Sequence, residues 1–155
     1  MTTTELVILD VITAAETATT EMREHGLTAN YIEFRPGSEG RRWDHETRDF
    51  TRPCFPQVRL HGTPQQFLAW VEHLQVERIH VKRRDMDACL NAGIDRHDLC
   101  WLLGASVARE GKQHLPGIDV DWHRKKSGRR GDDAWITPQE LRIALVALGL
   151  TGGQS

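Results

Sequence analysis

The sequence predicts an α+β domain: a small, mostly antiparallel sheet of about three to five strands, covered by helices, with a helical hairpin inserted before the last strand. Three segments lead to this reading. Residues 56–84, PQVRLHGTPQQFLAWVEHLQVERIHVKRR, read as strand, capped helix, strand. Residues 118–123 alternate Ile118, Val120 and Trp122 with Asp119, Asp121 and His123, as a half-buried strand does. Residues 137–149 open with Thr137, Pro138 and Glu140, the strongest helix start in the chain.

Taken in order, the chain begins with a helix over residues 4–25. Thr2 and Glu5 have capping-box spacing, and Ile8, Val11, Ile12, Ala15 and Met22 fall on one side. Gly26 stops the helix, and Leu27 follows it. Residues 30–35 alternate as a strand with Ile32 and Phe34 inward. Residues 36–56 are rich in Gly, Arg and Asp. They read equally as a working loop or as a hairpin, RRWDHETRDF, with Trp43 and Phe50 inward.

In the 56–84 unit, Val58 and Leu60 alternate with polar residues and Gly62 breaks the strand. Thr63, Pro64 and Gln66 start a helix whose stripe is Phe67, Val71 and Leu74, with Trp70 beside it. Ile79 and Val81 return to period two, and a parallel strand pair is the natural product of such a unit. Asp85 then caps a short helix broken by Gly93. Asp95 and Asp98 cap a second, with Leu99, Leu102, Leu103 and Val107 buried. The final helix buries Leu141, Ala144, Leu145 and Leu148 and ends at Gly149, leaving residues 151–155 as a disordered tail.

The chain has 155 residues, enough for one domain with a core of its own, here placed at residues 1–150. A net charge of -2 gives no global pull toward nucleic acid or anionic membrane, so any such contact must come from local clusters. Cys54, Cys89 and Cys100 are widely spaced and odd in number, which argues against a disulfide framework. The opening residues lack a basic, then apolar, leader, and no apolar run approaches transmembrane length. The expected location is cytoplasmic.

The leading candidate site is the basic loop HRKKSGRRG. Arg124, Lys125, Lys126, Arg129 and Arg130 fall within seven residues, and Gly128 and Gly131 let backbone amides approach a phosphate. Trp122 and Trp135 flank it and can stack on bases if exposed. Lys82, Arg83 and Arg84, with Arg41 and Arg42, would extend the surface if they share its face. The plainer reading is a solvated charged turn with both tryptophans in the core.

A second candidate, DMDACLNAGIDRHDLCWLL, resembles a helix-turn-helix. Cys89 stands four residues before Gly93, and Leu99 and Leu102 follow at six and nine. The resemblance implies that the second helix enters a DNA groove. Asp95 and Asp98 at its start would repel phosphate, and any helical hairpin needs the same pattern.

The third candidate is Asp119, Asp121 and His123, which strand alternation places on one face. Two carboxylates and an imidazole suit a divalent metal, and with Lys125 and Lys126 beyond them the strand loosely resembles metal-dependent nucleases. A solvated strand face explains the same residues. The remaining histidines and cysteines show no zinc-module spacing, and the EF-hand-like spacing after Arg129 lacks its first acids. No Walker loop, dinucleotide fingerprint or nucleophile elbow is present.

The function expected from these residues is non-enzymatic binding of nucleic acid through phosphate neutralisation at the basic loop. One alternative is a protein-interaction or assembly subunit, of the kind phage and mobile elements use, docking an acidic partner. The other is a metal-dependent hydrolase or nuclease at Asp119, Asp121 and His123. No cofactor is expected beyond such a metal.

Overall fold

The computed structural model describes residues 3–37, 42–44, 49–51, 55–83, 87–108, 123–124, 130–131 and 133–150. In chain order the elements are α1 (Thr3–His25), β1 (Tyr31–Arg35), β2 (Arg42–Asp44), β3 (Asp49–Thr51), β4 (Gln57–Gly62), α2 (Pro64–His73), β5 (Ile79–Arg83), β6 (Asp87–Arg96), β7 (Leu99–Ala108), β8 (His123–Arg124), β9 (Arg130–Gly131), β10 (Asp133–Ile136) and α3 (Pro138–Ala147). The class is α+β, as expected. The sheet is larger than expected, six strands in the order β1-β4-β7-β6-β5-β10, and its β4–β7 pair is parallel.

Both capped helices form as their sequences dictate. The Thr63 hydroxyl accepts from the Gln66 N–H at 3.1 Å, and the Gln66 Oε1 accepts from the Thr63 N–H at 2.8 Å. Thr137 and Glu140 repeat the arrangement at α3. Each capping box satisfies two backbone donors that the first helical turn would otherwise orphan, and losing the hydroxyl typically costs about 1 kcal/mol. Gly26 and Gly149 both take positive φ, 65° and 73°. Leu27 N–H then reaches back to Met22 O at 3.0 Å and Leu150 N–H to Leu145 O at 2.9 Å, the six-to-one bond of a Schellman stop.

Period two puts Val58, Leu60, Ile79, Val81, Leu90, Trp101, Leu103 and Ile136 on one face of the sheet, where the helices cover them. From the helices come Phe67, Trp70, Val71 and Leu74, then Leu141, Ala144 and Leu145. Trp70 and Trp101 meet at 5.4 Å between ring centroids, and each indole N–H has a carbonyl, Thr28 O at 3.0 Å and Arg96 O at 2.8 Å. Arg142 pairs with Glu72 across α2 and α3.

Two expectations are corrected here. Within the expected helical pair, residues 87–108 form instead the antiparallel hairpin β6–β7, so Asp95 lies in a strand and Asp98 in its turn rather than at the start of a DNA-reading helix. The cause is an ambiguous apolar run. Leu99, Cys100, Trp101, Leu102 and Leu103 satisfy helical spacing, but they also fit a strand whose core-facing Leu99, Trp101 and Leu103 alternate with the apolar Cys100 and Leu102 of the other face. His97 and Asp98 decide the matter: both take positive φ, 57° and 55°, making a two-residue turn that suits the strand twist. Inserting this hairpin also separates β4 from β5, so that β7 rather than β5 is the parallel neighbour of β4.

The second correction concerns α1. Its buried residues include Ala14 and Ala18, with Met22 partly covered, whereas Ile8 and Ile12 lie about half exposed. Small side chains allow the helix to approach the sheet closely, and the larger apolar ones turn outward. Between residues 36 and 56 the hairpin reading fits, since β2 pairs with β3 and Trp43 stands opposite Phe50. Residues 118–122, expected as a strand, lie outside the described residues, as does the 151–155 tail. No helix among the described residues is long and apolar enough to cross a membrane.

Candidate functional site: the open face of the sheet

With the three helices on one face, the alternate residues of every strand project from the other. Register links them into one cross-strand row: Tyr31, His61, Gly104, Asn91, His80 and Trp135, one from each strand. A second row carries Glu33, Arg59, Leu102 and Gly93. These residues, with Glu77 and Arg78 from the segment before β5, line an open groove of about 1230 Å³.

The floor is low at its centre because two of its positions are glycines. A Cβ on Gly104 would lie 3.2 Å from His61 Cδ2, so a larger residue there would displace the imidazole. The ends are aromatic. Tyr31 is 57% exposed and Trp135 56%, unusual for rings of that size with no covering element. Trp135 lies 4.8 Å from the His80 ring, and the Arg78 guanidinium carbon sits 4.9 Å from the Trp135 ring centroid. Arg78 therefore covers part of the indole by a cation–π contact and leaves the rest to solvent.

The charge of this face is mixed. Arg35, Arg59, Arg78 and Lys82 stand with Glu33, Glu77 and Asp95, and Arg35 donates to Glu33 at 2.8 Å. Lys82 follows His80 by two residues, so it shares the open face, and it is exposed.

Among the expected site residues, Lys82 is the one whose side chain is placed on this surface. Arg83 pairs with Ala88 in the β5–β6 ladder, and Arg42 stands opposite Thr51. Arg124 and Arg130 face each other across β8 and β9, and His123 stands opposite Gly131. Arg41, Arg84, Lys125, Lys126, Arg129, Asp119 and Asp121 lie outside the described residues. Connectivity still relates the loop to the groove. Asp133 pairs with Lys82, and Arg130 is three residues earlier, so the loop's end is tethered within about 11 Å of that sheet corner.

Sequence reasoning points to Trp135 as a flanking ring but passes over Tyr31, Arg59, His61, Arg78, His80 and Asn91. The polar half of each strand's alternation is the available signal, and it becomes a surface only when the strand order is known. No protein-family model, curated protein or solved structure matches the chain.

Proposed function

We propose that this protein binds single-stranded nucleic acid, laying the strand across the open sheet face and neutralising its phosphates with the basic loop at residues 124–130. The observation that carries the reading is Trp135: a half-exposed indole, backed by Arg78 and His80, at the sheet edge into which the basic loop leads. An exposed aromatic ring offers any base a stacking surface, and the nearby cations offer the backbone a counter-charge. The flat groove suits unpaired bases rather than a duplex, whose bases are already stacked. Recognition of this kind is weakly selective in sequence and strongly dependent on salt.

The test is fluorescence anisotropy with single-stranded DNA, duplex DNA and RNA, from about 50 to 300 mM salt. Salt-sensitive binding that prefers single strands, and that charge reversal at Arg129 and Arg130 abolishes, is the expected result. Binding untouched by that reversal, or no binding at the lowest salt, removes the proposal.

A second reading, a subunit that docks a protein partner, is favoured by Ile8, Leu9 and Ile12, which leave an apolar stripe on the first half of α1 about half exposed. Sizing at near-native conditions separates the two, since a defined oligomer without nucleic-acid affinity fits only the second.

A further inference from the structure

On the helical side of the molecule, far from each other in sequence, three histidines converge on one carboxylate. Glu21 and His25 lie one turn apart near the end of α1, His73 ends α2, and His97 occupies the β6–β7 turn. All three imidazoles present the same nitrogen. Nε2 of His73 is 2.6 Å and Nε2 of His25 is 3.6 Å from Glu21 Oε2, and Nε2 of His97 is 3.4 Å from Glu21 Oε1. The donor atoms of Glu21, His25 and His73 all lie within 4.8 Å of one another.

We propose that Glu21, His25 and His73 form a zinc site, with His97, which lies 3.4 Å from the other oxygen of Glu21, drawn in as a fourth ligand when the ion binds. Ligands at Zn–N and Zn–O distances of about 2.0–2.1 Å have donor atoms about 3.3–3.4 Å apart. The 3.6 Å and 3.4 Å separations of His25 and His97 from the carboxylate are near that spacing, whereas the 2.6 Å hydrogen bond between His73 and Glu21 must open to admit the ion. The ligand set is right for a borderline divalent ion: imidazole nitrogens select zinc over calcium or magnesium, which take oxygen donors. One carboxylate offsets half of the ion's charge, so binding needs no further acid.

The elements that bring the ligands together are rigid. Glu21 and His25 share a helical face because they are four residues apart. His73 closes α2 just before Leu74, whose side chain is fully buried, which fixes where the ring begins. His97 is held by a tight turn in which its φ is 57°. Glu21 is 14% exposed and His73 21%, so the inner half of the cluster is shielded, while His25 and His97 close it from outside. With His97 drawn in, four protein ligands leave no open position, so the ion acts as a clip joining α1, α2 and the β6–β7 turn rather than as a catalyst. The sequence hides this site, since only the Glu21–His25 pair has recognisable spacing.

The test uses tag-free full-length protein stripped with a chelator and titrated with zinc by calorimetry, and in parallel with cobalt, read by visible absorption. The expected result is one ion per chain, a tetrahedral cobalt spectrum and a higher melting temperature in zinc. His25→Ala and His97→Ala alter half-exposed side chains and leave the core intact. Each should weaken zinc at least about 10-fold, because even outer partners of metal ligands cost that much. Glu21→Gln should lose tetrahedral cobalt altogether. Absence of stoichiometric binding overturns the proposal. So does zinc affinity and a cobalt spectrum unchanged in both His25→Ala and His97→Ala, which would place the ion on other histidines.

Discussion

Tyr31 and Trp135 stand at opposite ends of one cross-strand row, joined through His61, Gly104, Asn91 and His80. Six strands at the usual spacing place the two rings about 24 Å apart. Between them lies a surface with a glycine at its centre and arginines and glutamates along its sides. A single strand of several nucleotides fits such a span, with a stacking ring available at each end.

Trp135→Ala should therefore weaken binding to single-stranded DNA or RNA by about 1–3 kcal/mol, roughly 5- to 150-fold. The indole is half exposed, so stability should change by no more than about 0.5 kcal/mol. Anisotropy titrations and a urea melt on the same preparation separate the two effects. Unchanged affinity would leave Trp135 as an ordinary surface residue.

Lys82→Ala should act differently. A lysine that meets only phosphate carries no sequence information, so affinity should fall to a similar extent for every oligonucleotide. The slope of log affinity against log salt should become shallower by about 0.7, the amount one neutralised phosphate of a single strand contributes. An effect confined to one sequence would point to a base as the partner of Lys82 instead.

The β6 assignment makes a prediction that a helix does not. Leu90 is fully buried and its neighbour Asn91 is exposed on the groove. Leu90→Asp should cost at least about 3 kcal/mol, because a carboxylate enters the core unpaired. Asn91→Asp should stay within about 0.5 kcal/mol. Urea midpoints measured for both variants check the alternation, and similar destabilisation at the two positions would contradict it.

At the β6–β7 turn, Asp98 holds a left-handed conformation with φ 55°. Asp98→Gly removes the Cβ that disfavours it, at the expense of a more flexible unfolded chain. The balance should stabilise the protein by up to about 1 kcal/mol, read as a rise in the urea midpoint at constant slope. Destabilisation would mean that the aspartate side chain, rather than the backbone geometry, holds the turn.

Local signals are legible where a side chain answers a backbone need. Thr63 with Gln66, Thr137 with Glu140, and Gly26 and Gly149 all do in the structure what their spacing implies. The inward residues Val58, Leu60, Ile79 and Val81 are equally plain, because each strand alternates cleanly. Leu99 to Leu103 misleads because apolar Cys100 and Leu102 on the open face erase the strand's polar alternation, and the His97–Asp98 turn lacks the usual Asn-Gly pair. The groove and the Glu21 cluster are illegible for a deeper reason. Tyr31 and Trp135, or Glu21 and His97, join one row or one cluster only through strand order and helix docking, which no local spacing encodes.

The parallel seam between β4 and β7 also dictates an order of assembly. The β6–β7 hairpin closes through pairings near in sequence, on a timescale of microseconds. Gln57 meets Cys100 only after α2, β5 and β6 have been laid down between them, so that pairing must overcome the larger loop-closure entropy. During synthesis at about 5–20 residues per second, β4 therefore waits seconds with its β7-facing edge unclaimed. The same seam that completes the sheet is the point at which a nascent chain is most open to pairing with the wrong strand, and where a chaperone would have most to protect.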